Sequence, residues 1–415
     1  MAAPELTPAS GALSQLRVLD LSRILAGPWA SQLLGDLGAE VIKVERPTVG
    51  DDTRAWGPPF LRDQAGDNTS ESAYFLCANR NKQSVTIDFT QPEGQALVRE
   101  LADRSDIVLE NFKVGGLAQY GLDYATLSAR NPRLIYCSIT GFGQDGPYAE
   151  RAGYDFLIQG MGGLMSLTGT PDGAAGAGPM KVGVAVVDIL TGLYASNAIL
   201  AALAARAHSG LGQYIDMALL DVQLACLANQ AMNYLVTGDS PRRMGNDHPN
   251  IVPYQSFPTA DGDMILAIGN DGQFARFCAI AEHPEWAKDP RFVSNASRVA
   301  NRAVLVPLLR QATVMRTTAQ WIGLLEAATV PCGPVNTVAQ AFADPQVVAR
   351  GMHMSQTHPL AGNMPSVASP IRLSATPVSY RRPPPLLGQH TNEVLHDLLG
   401  LDEQQLAALQ SRGVI

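Results

Sequence analysis

Few side chains in this sequence stand where chemistry could be done, and the most conspicuous is Asp155. It lies in Arg151-Ala-Gly-Tyr-Asp155-Phe-Leu-Ile-Gln-Gly-Met-Gly-Gly163, a stretch otherwise apolar or small. The segment reads as the opening of a glycine-rich helix, so one role for Asp155 is to cap that helix and meet its dipole. The other is that of a carboxylate facing a cavity left open by small residues, free to react there. Just upstream, Gly141-Phe-Gly-Gln-Asp-Gly146 has the spacing of a dinucleotide-binding loop and follows a predicted strand. Pro147 stands where the helix should open, however, and no acidic residue ends a second strand about twenty positions on. The segment is expected to be a turn-rich loop at a strand's carboxyl edge, able to touch a ligand but not to bind NAD. His248, in Met244-Gly-Asn-Asp-His-Pro249, sits in a glycine- and proline-rich loop that could act as a lid. There is no GxSxG elbow, Walker loop, HExxH pair or Cys/His metal set, so no metal is expected.

The elements that must position these residues alternate between strand and helix. Apolar runs at 17–21, 39–45, 84–89, 106–110 and 133–140 read as strands, and helical periodicity appears at 27–37 and 124–130. Thr90-Gln-Pro-Glu93 reads as a capping box opening another helix, with Pro92 in its first turn. This pattern predicts an α/β fold with a mostly parallel, Rossmann-like sheet covered on both faces. Residues 184–208 form a long, alanine-rich helix, apolar on so many sides that it should be buried in the domain or between subunits. The pattern restarts after residue 261, and 226–330 reads as a smaller second domain.

The bulk properties narrow the function classes. A chain of 415 residues, 46% hydrophobic and 16% charged, is too long for one ordinary core, which again suggests two domains. The net charge is −8 and there is no basic tract, which argues against a nucleic-acid partner. Cys77, Cys137, Cys226, Cys278 and Cys332 form no CxxC pair and read as free thiols in a reducing compartment. No apolar stretch of membrane-spanning length is read, and the first sixteen residues lack a leader's pattern. A cytoplasmic location without membrane contact is expected.

Several short motifs, each weak singly, are specific in their order and spacing. They are Val18-Leu-Asp-Leu-Ser-Arg-Ile-Leu-Ala-Gly-Pro28, Leu37-Gly-Ala-Glu-Val-Ile-Lys-Val-Glu-Arg-Pro47, Asn79-Arg-Asn-Lys82, Glu110-Asn-Phe112, Gly153-Tyr-Asp155 and Pro331-Cys-Gly-Pro334. Through them the chain resembles, over nearly its full length, the class III coenzyme A-transferases, the group that includes formyl-CoA transferase and α-methylacyl-CoA racemase. Gly50-Asp-Asp-Thr-Arg-Ala-Trp-Gly-Pro-Pro-Phe60, Arg151 to Asp155, Ile251-Val-Pro-Tyr-Gln255 and Arg382-Pro-Pro-Pro-Leu-Leu-Gly-Gln-His-Thr391 are similar to the branch that acts on dicarboxylic acids.

The resemblance implies a large Rossmann-like domain from 1–225 plus 331–415, a smaller α+β domain at 226–330, and two subunits interlocked as a homodimer. It implies that Asp155 carries CoA covalently while CoA moves from succinyl-CoA or glutaryl-CoA to a small dicarboxylic acid. CoA esters are then substrates, and no cofactor is permanently bound. Arg46 is expected on the CoA phosphates, Ile87 on the adenine, Leu25 and Ala26 near the pantetheine, and Asn111 and Phe112 in the CoA-lining loop. Thr140, Gly141, Phe142 and Gly143 are expected at the thioester end. Thr90 and Gln119 replace two basic contacts of the family, which leaves Arg80, Lys82 or Lys113 for the 3′-phosphate. The loop from Gly245 through His248 to Tyr254 is the expected lid. Arg23 is the candidate clamp for a substrate's second carboxylate, the alternative being that it pairs with Asp20 or a nearby loop. Two rival readings remain: an acyl-CoA racemase or epimerase of the same fold, whose branch reads Gly-His-Asp where this chain has Gly153-Tyr154-Asp155, and a catalytically silent CoA-binding protein.

Overall fold

In the computed structural model, which describes residues 11–415, six short apolar runs become strands. They are β1 (Arg17–Asp20), β2 (Glu40–Glu45), β3 (Lys82–Thr86), β4 (Ile107–Glu110), β5 (Ile135–Thr140) and β6 (Tyr214–Ala218). The first ten residues, part of the stretch read for a leader, lie outside the described residues. Every neighbouring pair is parallel, in the order β6-β5-β4-β1-β2-β3. Strands buried on both faces must be apolar on both. Leu19, Ile42, Val108 and Tyr136 accordingly enter one core, while Val18, Val41, Ile107 and Ile135 enter the other.

The helices that follow the strands are α1 (Ala26–Asp36), α2 (Pro92–Asp103), α3 (Tyr124–Arg130), α4 (Asp155–Met161), α5 (Val186–Ser209), α6 (Leu219–Ala225) and α7 (Ala228–Thr237). Helices α2 and α3 cover the first core, together with the C-terminal helices Thr391–Leu399 and Glu403–Ser411; α1 and α5 cover the second. Helix α2 starts at Pro92 with Gln91 as its N-cap and no side-chain cap. The expected capping box does not form, because the Thr90 hydroxyl donates to Asp88 Oδ1 at 2.6 Å instead.

Helix α5 corrects a second expectation: its length and composition are those of a membrane-crossing helix. Here one face of it packs on α1, and Gly192 sets the approach, since an added Cβ would stand 2.7 Å from the Ala26 carbonyl oxygen. Buried Arg206 on the same helix pairs with Asp106 at 2.9 Å.

The chain divides into two units, the first comprising residues up to Leu164, Val182–Gly238 and Val348–Ile415. The second comprises Met165–Lys181 and Asp239–Val347 rather than 226–330. Both shifts have a packing cause. Helix α7 packs on α6 in the first unit, and Cys332–Pro334 is a strand of the second unit's sheet. That sheet is antiparallel, with β7 (Tyr254–Pro258), β8 (Asp263–Ala267) and β9 (Cys332–Pro334) in order. Phe257, Phe274, Phe277 and Trp321 fill its core.

Strand order fixes where a ligand can lie in the first unit. The chain winds from β1 to β2 and β3 on one side, then crosses to β4, β5 and β6 on the other. The loops leaving β1 and β4 therefore diverge, and a crevice opens at their carboxyl ends.

Candidate active site

Three loops build the walls of this crevice. The Asn111 side chain fastens the β4 loop to the β1 loop: its Oδ1 accepts from the Arg23 N–H at 2.9 Å, and its Nδ2 donates to the Arg23 carbonyl at 2.6 Å. After β5, Thr140 Oγ1 accepts from the Gly143 N–H at 2.9 Å and rounds the chain. Gly141 then passes against Gly153 so closely that a Cβ on it would lie 2.5 Å from the Gly153 Cα, so neither position has room for a side chain. The result is a narrow cleft of about 140 Å³. Its lining includes Leu25, Ala26, Asn111, Thr140 and Gly141, with Arg151, Gly153, Tyr154 and Asp188.

Asp155 opens α4 immediately after Tyr154. It does cap a helix, though not its own. Its Oδ1 accepts the N–H of Val187, in the first turn of α5, at 2.8 Å, and its Oδ2 accepts from Gln159 Nε2 at 2.7 Å. Gln159 is fully buried and is itself fixed by the Val182 N–H, which donates to its Oε1 at 2.9 Å. An anion at a helix start is favoured by the dipole. Asp188, one residue beyond Val187, is 8% exposed and lines the cleft. Burial, and then the charge of Asp155, push its carboxyl up to about 7, so the cleft holds a carboxyl that readily keeps its proton.

A second cleft, of about 380 Å³, lies toward β2 and is lined by Arg46, Phe89, Phe112, Lys113, Gln119 and Tyr120, among others. Phe89 meets Phe112 and Tyr120 edge-on, with centroids 5.7 and 5.6 Å apart. Arg46 is exposed. The clefts share Arg23, Phe112 and Lys113. Arg46 lines the second cleft alone, whereas Tyr154 and Asp188, the neighbours of Asp155 and Val187, line the first. Among the described residues no three His, Cys, Asp or Glu side chains converge on a metal position.

A family model described as CoA-transferase family III matches residues 13–391. The chain belongs to this family. It is 53% identical over 386 residues to the succinate–glutarate CoA-transferase of Agrobacterium fabrum, covering 93% of this chain and 95% of that one. It is 43% identical over 403 residues to the human succinyl-CoA:glutarate CoA-transferase, covering 97% and 90%. A crystal structure of a CAIB/BAIF family protein from Brucella suis superposes with a TM-score of 0.82 at 52% identity, over 94% of this chain and all of that one.

Most of the residues that membership in CoA-transferase family III singled out come together. Leu25, Ala26, Asn111, Phe112, Lys113, Thr140 and Gly141 line the first cleft and Arg46 the second. Ile87 does not: its side chain is 1% exposed in the core, and Phe89 reaches the second cleft in its place. Phe142 is also turned inward, into the core beside α5, and Gly143 serves the turn at φ 91°. Arg80 and Lys82 are excluded as phosphate contacts. Buried Arg80 pairs with Asp36, and fully buried Lys82 donates to Asp20, Asn79 and the Pro28 carbonyl. Lys113 is exposed and remains. Arg23 pairs with Asp52 at 2.8 Å, a nearby loop partner and not Asp20.

Gly245, His248 and Tyr254 belong to the second unit. There the Gly245 backbone is left-handed (φ 64°), the His248 ring tilts against Tyr254 at 5.2 Å, and Arg302 donates to the carbonyls of His248 and Pro249. Sequence reasoning passed over Asp188 and Arg151. The signal for Asp188 was a lone acid in the first turn of an apolar helix.

Proposed function

We propose that this CoA-transferase moves CoA from succinyl-CoA or glutaryl-CoA to a small dicarboxylic acid, by way of an aspartyl-CoA thioester on Asp155. The observation that carries the reading is the placement of the Asp155 carboxylate, held by Gln159 and Val187, beside the crevice at the sheet's switch point. The carboxylate attacks the donor's thioester carbon and the C–S bond breaks, giving a mixed anhydride and CoA thiolate. The thiolate then attacks the aspartyl carbonyl, forming aspartyl-CoA and releasing the donor acid as its carboxylate. The acceptor carboxylate runs the same steps in reverse, so one hard exchange becomes several easier ones. No proton is consumed overall. The donor is a CoA ester used as substrate, and the steps call for no permanently bound cofactor.

In this reading the phosphates of CoA lie toward Arg46 and Lys113, and the adenine against Phe89 and Tyr120. The pantetheine runs past Leu25 and Ala26 to Thr140 and Gly141. The anhydride and thioester both hydrolyse, so water must be kept away; the Gly245–Tyr254 loop is assigned that closing role. Tyr154 stands where the racemase branch carries histidine, which leaves no imidazole there to shuttle a proton. Retention of Asp155 speaks against a silent binding protein.

The active form is an interlocked homodimer. Supporting this, Tyr154, Phe156, Leu193, Leu224, Leu235 and Val236 on and around α4 to α7 are large apolar side chains between 44% and 76% exposed in the single chain. Surfaces of that kind mark association. Sedimentation at low nanomolar concentration should still give a dimer; an active monomer would refute the assembly.

Incubation with succinyl-CoA and a panel of acids, read by mass spectrometry for new CoA esters, tests the reaction. Glutarate and its four- to six-carbon relatives should be the best acceptors. Faster transfer to formate, oxalate or a monocarboxylate would refute the substrate class.

A further inference from the structure

Three cationic side chains line the cleft beside Asp155: Arg23, Lys113 and Arg151. They are not equivalent. Arg23 and Lys113 also line the second cleft, where the nucleotide of CoA is placed, and the Arg23 guanidinium is already occupied by Asp52. Arg151 lines the first cleft alone. No carboxylate among the described residues lies within ion-pairing distance of it; its Nη2 makes a weak contact to the Met161 sulfur at 4.0 Å. The guanidinium rests instead on aromatic faces, 4.5 Å from the Tyr148 ring centre and 5.2 Å from that of Phe142. Such a seat orients the planar group through cation–π attraction and leaves its in-plane N–H donors available. Phe142 and Tyr148 contact each other edge-on at 5.5 Å, so the seat is itself braced. Arg151 is also only four residues from Asp155 along a segment whose Gly153 and Tyr154 line the same cleft.

We propose that Arg151, rather than Arg23, holds the second carboxylate of the dicarboxylic substrate and so sets the enzyme's preference for diacids. This rests on the reading of Asp155 as the residue that exchanges CoA. A guanidinium offers two parallel donors to the two oxygens of one carboxylate, and the acid's other carboxylate is then directed toward Asp155. A monocarboxylic acid of the same length gains nothing at Arg151. A charge-assisted pair of this kind contributes about 10- to 100-fold in preference.

The test compares glutarate with pentanoate as acceptors from succinyl-CoA, for the wild type, Arg151→Gln, Arg151→Lys and Arg23→Met. In a ping-pong exchange kcat/KM for the acceptor reports only the second half-reaction, so the donor's own distal carboxylate does not confuse it. Arg151→Gln should lower kcat/KM for glutarate about 10- to 100-fold, chiefly through KM, and collapse the glutarate-to-pentanoate ratio. Arg151→Lys keeps the charge and loses the fork, so its ratio should fall in between; it also covers the case in which the glutamine variant is unstable. Arg23→Met should change the ratio less than either. An unchanged ratio in the Arg151 variants, an equal fall for both acids, or a larger shift from Arg23→Met overturns the assignment. If the wild type transfers CoA to neither acid, the underlying reading of the reaction fails instead.

Discussion

The backbone N–H of Val187 donates to the Asp155 carboxylate at 2.8 Å, so the proposed nucleophile is held by the first turn of a helix other than its own. The second tie is from Gln159 Nε2 at 2.7 Å. Together they fix both carboxylate oxygens without using a charged partner, which would have quenched the nucleophile. Replacing Gln159 with Leu frees one oxygen and lets the side chain turn. Turnover should fall roughly 10- to 100-fold, the scale of a misplacement of about 1 Å, with little change in KM for the CoA ester. Steady-state kinetics with succinyl-CoA measures this; a variant with normal kcat would show that Gln159 does not orient Asp155.

Ile24 is a β-branched residue at φ 71°, a backbone region that costs such a side chain about 1–3 kcal/mol, and it lines the first cleft. Its N–H donates to Asp51 Oδ1 at 3.2 Å, and Asp51 in turn pairs with buried Lys43 at 2.9 Å. Asp51→Ala should destabilise the fold by about 3 kcal/mol, since it removes the partner of a buried charge. It should also raise KM for the CoA ester. Glycine accepts φ 71° without strain, so adding Ile24→Gly should recover the KM but not the stability. Thermal melts and KM values for the two single variants and the double variant separate these effects; no recovery of KM in the double variant would contradict the account.

Much of the first unit was legible because buried parallel strands announce themselves as short apolar runs, and the first five strands fall within a few residues of the expected positions. The place of Asp155 at a helix start was equally plain. What it caps was not, because Val187 is thirty-two residues away and only the packing of α4 on α5 brings them together. Burial of charge was the least readable feature. Lys82 and Arg80 looked like phosphate contacts, since lysine and arginine are nearly always solvent-facing. Their acceptors come from Asp20, Pro28 and Asn79 for the one and Asp36 for the other, on elements that meet only after folding. The boundary of the second unit differs for the same reason: β9 lies past residue 330, beyond the helix Thr318–Ala327, yet completes that unit's sheet.

The Asp188 carboxyl keeps its proton up to about 7 in the folded protein, because burial and then Asp155 oppose its charge; its ordinary value is 3.8. Between those two values the folded state binds more protons than the unfolded one. This group therefore costs stability as pH rises from about 4 to about 7, and adds no further slope above that. Asp188→Asn removes the slope, so its stability relative to wild type should grow across that window, by at most about 1.4 kcal/mol per pH unit. Urea unfolding at both ends of the window measures it. A constant difference would mean that Asp188 is ionised throughout.

Arg46 lines the second cleft and not the first, which the neighbours of Asp155 line, so its contribution should be to binding. Arg46→Ala is expected to raise KM for succinyl-CoA about tenfold or more while kcat at saturation changes little. Unchanged KM would place the CoA phosphates elsewhere.

The central claim is that CoA resides covalently on Asp155 during turnover. The most direct measurement is to mix the enzyme with succinyl-CoA in the absence of an acceptor acid, quench with hydroxylamine, digest, and map the modified peptide by mass spectrometry. A thioester or anhydride at Asp155 converts its carboxyl to a hydroxamate, so the modification should fall on Asp155 within the segment from Arg151 to Gly163. It should vanish in Asp155→Ala, whose turnover should drop by several orders of magnitude while its fold is retained, each tenfold loss adding about 1.4 kcal/mol to the barrier. Modification at another carboxylate, or an Asp155→Ala protein that still exchanges CoA between succinate and glutarate, would contradict the account.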